Sequence, residues 1–109
     1  MAPRYLLDNG YAILERDWHY GRRDLDIIAS KDGLLVIVEV RTRSNMTYMQ
    51  PEESVDYHKI RSISIAANSY VKTNRINASL RFDIIAVIGS PDSEYQIRHI
   101  TDAFYPPMR

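Results

Sequence analysis

The sequence predicts an α/β fold in which a mixed central β-sheet of about five strands is flanked by helices, in the order α-β-β-β-α-β-β. Two stretches that alternate between apolar and polar residues lie on either side of Asp32-Gly33, which indicates a β-hairpin. A long stretch with helical spacing follows, and a strongly apolar strand comes after it. A helix that connects two strands in this way favours a mixed sheet over a simple meander.

The separate elements follow from local patterns. Residues 2–9 fit a short helix that ends at Gly10, and residues 11–18 fit a first strand. In residues 24–30 the alternation places Leu25, Ile27 and Ala29 on one face of a strand. The remaining predicted elements are a strand at residues 34–42, a helix at 52–73, and strands at 80–88 and 95–101.

The long helix has its own start and stop signals. Pro51 suits the first turn of a helix, and negative charge on Glu52 and Glu53 is favourable at its N-terminus. Asn74 is a suitable residue at the C-terminal end. The sequence therefore predicts that this helix begins at about Glu52.

Composition narrows the class of protein. A chain of 109 residues predicts one domain, residues 1–109, and 45% hydrophobic with 26% charged residues is typical of a globular protein. Fourteen basic residues balance fourteen acidic ones, so a site for a polyanion has to be a local arrangement. The absence of cysteine excludes disulfides and thiolate zinc sites, and it fits a cytoplasmic protein. No stretch has the length of a membrane span, so we expect no membrane partner.

The hairpin register brings two carboxylates together. If Asp32 and Gly33 are the two loop residues, Asp26 lies opposite Glu39 on the neighbouring strand. Directly opposed side chains have Cβ atoms roughly 4.5–5.5 Å apart, and like charges at that distance destabilise a sheet. A compensating positive charge is therefore expected at this position.

Two sources of that charge remain open. A hard divalent cation such as Mg²⁺ is commonly held by one or two carboxylates, backbone oxygen and water. Alternatively, Arg41, which the same register places opposite Asp24, neutralises the carboxylates without a metal. The residues alone do not decide between a metal site and a surface ion pair.

Spaced blocks along almost the whole chain match one known family. The blocks are Gly21, residues 24–29 (DLDIIA), residues 38–43 (VEVRTR), Lys59, Ala66-Ala67, Tyr70 and residues 81–83 (RFD). With these blocks the chain resembles the uncharacterised bacterial YraN family, which belongs to the restriction-endonuclease-like PD-(D/E)XK superfamily and is similar to Holliday junction resolvases. The resemblance implies a restriction-endonuclease-like fold, binding of nucleic acid with DNA favoured over RNA, and, by analogy, a possible homodimer.

The resemblance also implies roles for particular residues. By matching positions, Asp26 and Glu39 would bind Mg²⁺ or Mn²⁺ together with the backbone carbonyl of Val40, and the site would hydrolyse phosphodiester bonds. Arg41 would be the third catalytic residue, at a position where the family usually has Lys. A guanidinium is effectively always protonated, so Arg41 would hold a phosphate or orient water and would not act as a base.

Other polar residues are weaker candidates. Arg43 and Lys59 lie in matched blocks and would contact the nucleic-acid backbone, and Tyr48 would stack on a base. Asp83 is either part of a structural ion pair or catalytic. The three histidines, His19, His58 and His99, lack the spacing of zinc ligands and are interpreted as surface residues.

The sequence thus leaves three functions open. The first is a metal-dependent endonuclease, and the second is a catalytically inactive nucleic-acid-binding module. The third is a protein-interaction domain on a nuclease-like fold, which zero net charge would suit.

Overall fold

The helices and strands form in the predicted order in a computed structural model that describes residues 1–43, 56–89 and 94–106. They are helix α1 (Ala2–Asp8), strands β1 (Ala12–Tyr20), β2 (Arg23–Lys31) and β3 (Leu34–Arg43), helix α2 (Tyr57–Thr73), and strands β4 (Ser79–Ile88) and β5 (Gln96–Ile100). The α-β-β-β-α-β-β order is therefore confirmed. Within the described ranges, no helix is long and apolar enough to cross a membrane.

The sheet is mixed, as predicted. Its strand order is β1-β2-β3-β4-β5, and β3 and β4 are the parallel pair, whereas the other neighbours are antiparallel. Parallel neighbours need a crossover connection, and α2 lies in that connection between β3 and β4. The predicted α/β fold with a mixed sheet of five strands is confirmed.

The tight turn between β2 and β3 fixes their register. Asp32 and Gly33 both have left-handed backbones, with φ of 51° and 79°, as a two-residue hairpin loop requires. Lys31 pairs with Leu34, and the register continues to Ile27 opposite Val38. The predicted register is confirmed over this range.

A separate apolar core covers each face of the sheet. On one face, α2 packs through Ile63, Ala66, Ala67 and Tyr70 against Ile28, Ile37 and Ile84. On the other face, α1 packs through Leu6 against Ile27, Val38 and Ile85. Because both faces are covered, β3 and β4 read as almost continuous apolar runs.

Leu25 in β2 does not lie on the predicted face of the strand. The alternation predicted that Leu25 shares a face with Ile27 and Ala29, but Leu25 belongs to the core under α2, together with the partly buried Trp18. The alternation breaks between Leu25 and Ile27. In the neighbouring strand β1, Asp17 has a left-handed backbone with φ of 51°, so β1 is irregular at the same level.

Helix α2 begins later than predicted. Asp56 is its N-cap, with an extended backbone and a side chain that accepts a hydrogen bond from the Lys59 N–H over 2.9 Å. The helix therefore begins at Tyr57, and the prediction of about Glu52 is wrong. Pro51, Glu52 and Glu53 lie outside the described residues. The predicted stop at Asn74 is confirmed, since Asn74 is the C-cap.

The cap of α2 can be tested directly. We expect Asp56→Ala to lower the free energy of unfolding by about 1 kcal/mol, because it leaves an N–H of the first turn without its acceptor. Asp56→Asn is the matched control, since asparagine caps about as well as aspartate. Urea unfolding measures both variants. Equal losses would show that the charge of Asp56, and not its capping hydrogen bond, stabilises the helix.

Candidate functional site

The backbone pairing of β2 and β3 ends beside Asp26. If the ladder continued past Ile27 and Val38, the Val40 N–H would donate to the backbone of Leu25. Instead it donates to Oδ2 of Asp26 over 2.9 Å. The side chain of Asp26 thus replaces a backbone acceptor and is held against β3. The predicted pairing of Asp26 with Glu39 occurs as a contact between side chains at the end of the ladder.

Glu39 is a buried carboxylate with two cationic neighbours. Its residue surface is only 5% exposed. Arg41 Nη2 lies 3.2 Å and Lys59 Nζ 3.5 Å from the same Oε2 atom. Arg41 follows two positions later on the same face of β3, whereas Lys59 comes from the first turn of α2. The parallel crossover therefore brings an amine from a distant part of the sequence to this carboxylate.

The two cations do not fully compensate the charge of Glu39. Burial raises the pKa of Glu39, and the carboxylate of Asp26 raises it further, while Lys59 and Arg41 act to lower it. The resulting pKa lies above the ordinary value of 4.5. The surroundings of Glu39 therefore still disfavour its negative charge, and a further cation beside Asp26 and Glu39 would relieve this.

The backbone of β3 directs a carbonyl to the same place. The carbonyl of Arg43 accepts a hydrogen bond from the Gly89 N–H, so Arg43 faces β4. Successive residues of a strand face opposite neighbours, which turns both the N–H and the C=O of Val40 towards β2 and Asp26.

The available oxygen donors fit a hard cation. They are the carboxylates of Asp26 and Glu39 and the carbonyl of Val40. No group of three or more His, Cys, Asp or Glu side chains that could hold a metal occurs in the described parts of the chain. Mg²⁺ usually keeps several waters and needs only one or two carboxylates, so two carboxylates and one carbonyl are sufficient. These oxygen donors do not suit metals that prefer thiolate or imidazole ligands.

Comparison with known proteins identifies the family. Residues 1–87 match the model of "Uncharacterised protein family UPF0102". The chain belongs to the UPF0102 family. A UPF0102 protein of Bacteroides thetaiotaomicron is 50% identical over 107 residues, which cover 98% of this chain and 88% of the relative. The family also includes similar proteins from Parabacteroides distasonis, 44% identical over 99% of this chain and 88% of the relative, and Clostridium beijerinckii, 42% identical over 95% and 86%. The resemblance to the YraN family is confirmed.

The remaining predicted site residues of this UPF0102 chain are only partly brought together. Lys59 lies beside Glu39, and its side chain is 42% exposed. Arg43 lies at the end of β3 and donates from Nη1 to the carbonyl of Thr42 over 2.9 Å. Asp24 is paired with His19, and not across the hairpin with Arg41 in the described register. Tyr48 lies outside the described residues.

The α1 side of the UPF0102 sheet holds a buried polar network of which the sequence indicated only the possible ion pair of Asp83. Asp83 is fully buried, and Arg81 donates to both of its carboxylate oxygens over 2.9 and 2.8 Å. His99 is bonded to Asp83 through Nε2 over 2.7 Å and to the Tyr5 hydroxyl through Nδ1 over 3.1 Å. The side chain of His99 is only 8% exposed. The prediction that His99 is a surface residue is therefore wrong. His19 and His58 are exposed, as predicted.

This network is structural in character. The Arg81 guanidinium also donates to the Tyr11 hydroxyl over 2.6 Å, so the five side chains join β4, β5, α1 and the start of β1. Of the two interpretations of Asp83, the ion pair agrees with these contacts. A sequence signal existed, because Arg81 and Asp83 share one face of an otherwise apolar strand.

Proposed function

We propose that this chain is a Mg²⁺- or Mn²⁺-dependent endonuclease that hydrolyses phosphodiester bonds in nucleic acid, DNA rather than RNA, in the cytoplasm. One observation carries the proposal. Asp26 and Glu39 are held together where β2 and β3 stop pairing, with the Val40 carbonyl turned to the same place. Two carboxylates kept close at an energetic cost are typical of a site that binds a cation.

Each residue has a distinct task in this proposal. Asp26, Glu39 and the Val40 carbonyl would hold the metal ion, which would lower the pKa of a bound water and neutralise charge on phosphoryl oxygens. Arg41 and Lys59 place two positive charges beside the carboxylates, where the scissile phosphate would lie. Arg41 would hold that phosphate through its planar guanidinium, and Lys59 would contact it as a point charge.

The surrounding cations would extend the contact along the strand. Arg43 ends the same strand as Arg41, so its guanidinium would contact a neighbouring phosphate. Such contacts position a nucleic acid without reading its sequence. They also explain how a chain with zero net charge would bind a polyanion, because the positive groups are concentrated near one end of β3.

A second function is favoured by a specific observation. Arg41 and Lys59 both form ion pairs with Glu39, so the protein has its own partial substitute for a metal. We therefore keep the catalytically inactive nucleic-acid-binding module as the alternative. This module would bind nucleic acid in a salt-dependent manner and would not require a divalent cation.

Cleavage of a panel of labelled substrates tests the proposal. The panel contains duplex, single-stranded and branched DNA and RNA, each with Mn²⁺ or with EDTA. We expect cleavage with Mn²⁺ only, and we expect Asp26→Asn to reduce its rate by about 100-fold or more. The amide oxygen of asparagine still accepts the Val40 N–H bond, so this variant removes the charge and keeps the strand contact.

Asp8→Asn is the matched control, because Asp8 is an exposed carboxylate on α1, paired only with Arg4 in the described residues. Equal cleavage by the two variants would show that Asp26 is not part of the site. Binding that persists in EDTA without cleavage would favour the inactive module. If no nucleic acid is bound under any condition, the protein-interaction domain becomes the leading hypothesis.

A further inference from the structure

A pocket of about 520 Å³ lies on the α1 side of the sheet, next to the carboxylate pair. Its volume is within the range of roughly 300–1,000 Å³ that is usual for small-molecule sites. Asp26 forms part of its wall and also approaches Glu39, so the pocket adjoins the candidate metal site. Its lining also includes Arg16, Asp17, Val40, Thr42 and Tyr95.

One wall of the pocket is an aromatic ring in a fixed position. Tyr95 precedes β5 and packs directly on Gly89, which follows β4. A Cβ atom at Gly89 would lie 2.8 Å from Cδ1 and 3.1 Å from Cα of Tyr95, distances that leave no room for a side chain. Glycine therefore allows the tyrosine to lie against the backbone. Tyr95 nevertheless remains 46% exposed, so part of its surface is free for stacking.

The part of the wall formed by β1 and β2 carries the carboxylates of Asp17 and Asp26 and the guanidinium of Arg16. Asp17 lies on β1 with a left-handed backbone, φ 51°, which is uncommon for a residue other than glycine. Such strained backbones are concentrated at functional sites. Asp26 accepts the Val40 N–H at Oδ2, and its side chain also interacts with Glu39. Two carboxylates at the wall favour a ligand that carries N–H donors.

Apolar side chains complete the pocket. Ile27, Val40 and Val87 line it and belong to the core on the α1 side. The pocket thus combines an apolar surface, one aromatic ring, and hydrogen-bond acceptors at an edge. These properties match a flat heterocycle with an amino group, and the adjoining candidate site matches a phosphate.

We propose that this pocket binds an unstacked nucleobase that carries an exocyclic amino group, with its ring on Tyr95 and its amino group at Asp17 and Asp26. The inference rests on the proposed function, because Asp26 belongs both to the pocket and to the candidate metal site. It specifies the substrate class as nucleic acid with an unpaired adenine, cytosine or guanine beside the scissile bond. A base in a regular duplex is stacked and would have to leave the helix to enter.

Binding of mononucleotides in EDTA tests the pocket without any need for cleavage. We expect AMP to cause saturable changes in the amide NMR signals of Asp17, Thr42 and Tyr95. UMP lacks the exocyclic amino group and should bind about tenfold more weakly, which corresponds to one hydrogen bond to a charged group. Equal binding of AMP and UMP, or no change in these signals, would overturn the assignment.

Two variants separate the pocket from the rest of the surface. Thr42 is exposed on β3, and tryptophan suits a strand, so Thr42→Trp should fill the pocket without unfolding the sheet. Leu14→Trp is the matched control at an exposed position of β1 outside the pocket. AMP binding should be lost in the first variant and kept in the second. Asp17→Asn tolerates the left-handed backbone and should weaken AMP binding several-fold, because one acceptor loses its charge.

Oligonucleotides distinguish a nucleic-acid strand from a free nucleotide as the occupant. A single-stranded oligonucleotide with one adenine among abasic sites should bind more tightly than the fully abasic one, and Thr42→Trp should remove the difference. If AMP binds but the two oligonucleotides bind equally, the pocket serves free nucleotides and the proposal is wrong. Failure of wild-type cleavage would overturn the proposed function but would leave these binding results unaffected.

Discussion

Replacing Asp83 with asparagine is expected to lower the free energy of unfolding by about 3 kcal/mol, the scale for breaking a buried ion pair by removal of one partner. The Asp83 side chain is fully buried. It accepts hydrogen bonds from two nitrogens of Arg81, from His99 and from the backbone N–H of Asp102. Asparagine has only one oxygen, and its amino group would face donors. Arg81 would also lose its buried counter-charge.

The loss should depend on pH. Burial acts to raise the pKa of Asp83, but hydrogen bonds from His99, Arg81 and the Asp102 N–H outweigh it and hold the pKa below the ordinary value of 3.8. A depressed pKa contributes stability that is present above the unfolded-state pKa and is lost as the pH falls through the folded-state pKa. The difference in the free energy of unfolding between wild type and Asp83→Asn should therefore be largest at neutral pH and become smaller in strong acid.

Urea unfolding at neutral pH and near pH 3 measures this difference. Asp8→Asn is the control, since the Asp8 side chain is 61% exposed, and we expect it to change stability by less than about 0.5 kcal/mol. If Asp83→Asn were as stable as wild type at neutral pH, the network would not contribute to stability. The buried carboxylate would then require a functional explanation.

The hairpin could be predicted from the sequence because its determinants are local. Asp32 and Gly33 select the turn, and the turn fixes the register up to Ile27 and Val38. That register was sufficient to bring Asp26 and Glu39 together. It did not predict that Asp26 would accept the Val40 N–H. The alternation of apolar and polar residues is the same whether a backbone carbonyl or a side chain accepts this hydrogen bond.

The features that the sequence did not predict depend on distant parts of the chain. Lys59 reaches Glu39 because α2 connects the parallel strands β3 and β4. The register of the β2–β3 hairpin gives no information about this contact. His99 is buried because Asp83 and Tyr5 enclose it from two other elements. The start of α2 was misplaced because Glu52 and Glu53 also suit a helix N-terminus, so the cap at Asp56 had no unique signal.

Glu39→Gln should have opposite effects on stability with and without metal. The pKa of Glu39 is raised, first by burial and then by Asp26. Stability from a raised carboxyl pKa is present below the unfolded-state pKa and is lost as the pH rises through the folded-state pKa. Ionisation of Glu39 is therefore less favourable in the folded than in the unfolded protein. In EDTA we expect the uncharged glutamine to raise the free energy of unfolding by up to about 1 kcal/mol, the scale for opposed like charges on neighbouring strands.

A divalent cation should reverse this order. A ligand that binds only the folded state at about 100 times its Kd stabilises a protein by about 2.7 kcal/mol. We expect Mn²⁺ to give such a gain to wild type and little to Glu39→Gln, whose Kd for Mn²⁺ should be weaker by about 100-fold because a charged ligand is lost. Thermal unfolding in EDTA and in excess Mn²⁺, with calorimetric titration of the metal, measures both effects.

Glu94→Gln is the matched control, since Glu94 is an exposed carboxylate that is not one of the proposed metal ligands. It should leave both the stability in EDTA and the gain with Mn²⁺ unchanged. The decisive comparison is the sign of the stability difference between wild type and Glu39→Gln. A sign that changes when Mn²⁺ is added means that the repulsion between Asp26 and Glu39 is retained in order to bind metal. If wild type gains nothing from Mn²⁺, Arg41 and Lys59 compensate the charge of Glu39 in place of a metal, and the inactive binding module is the better description.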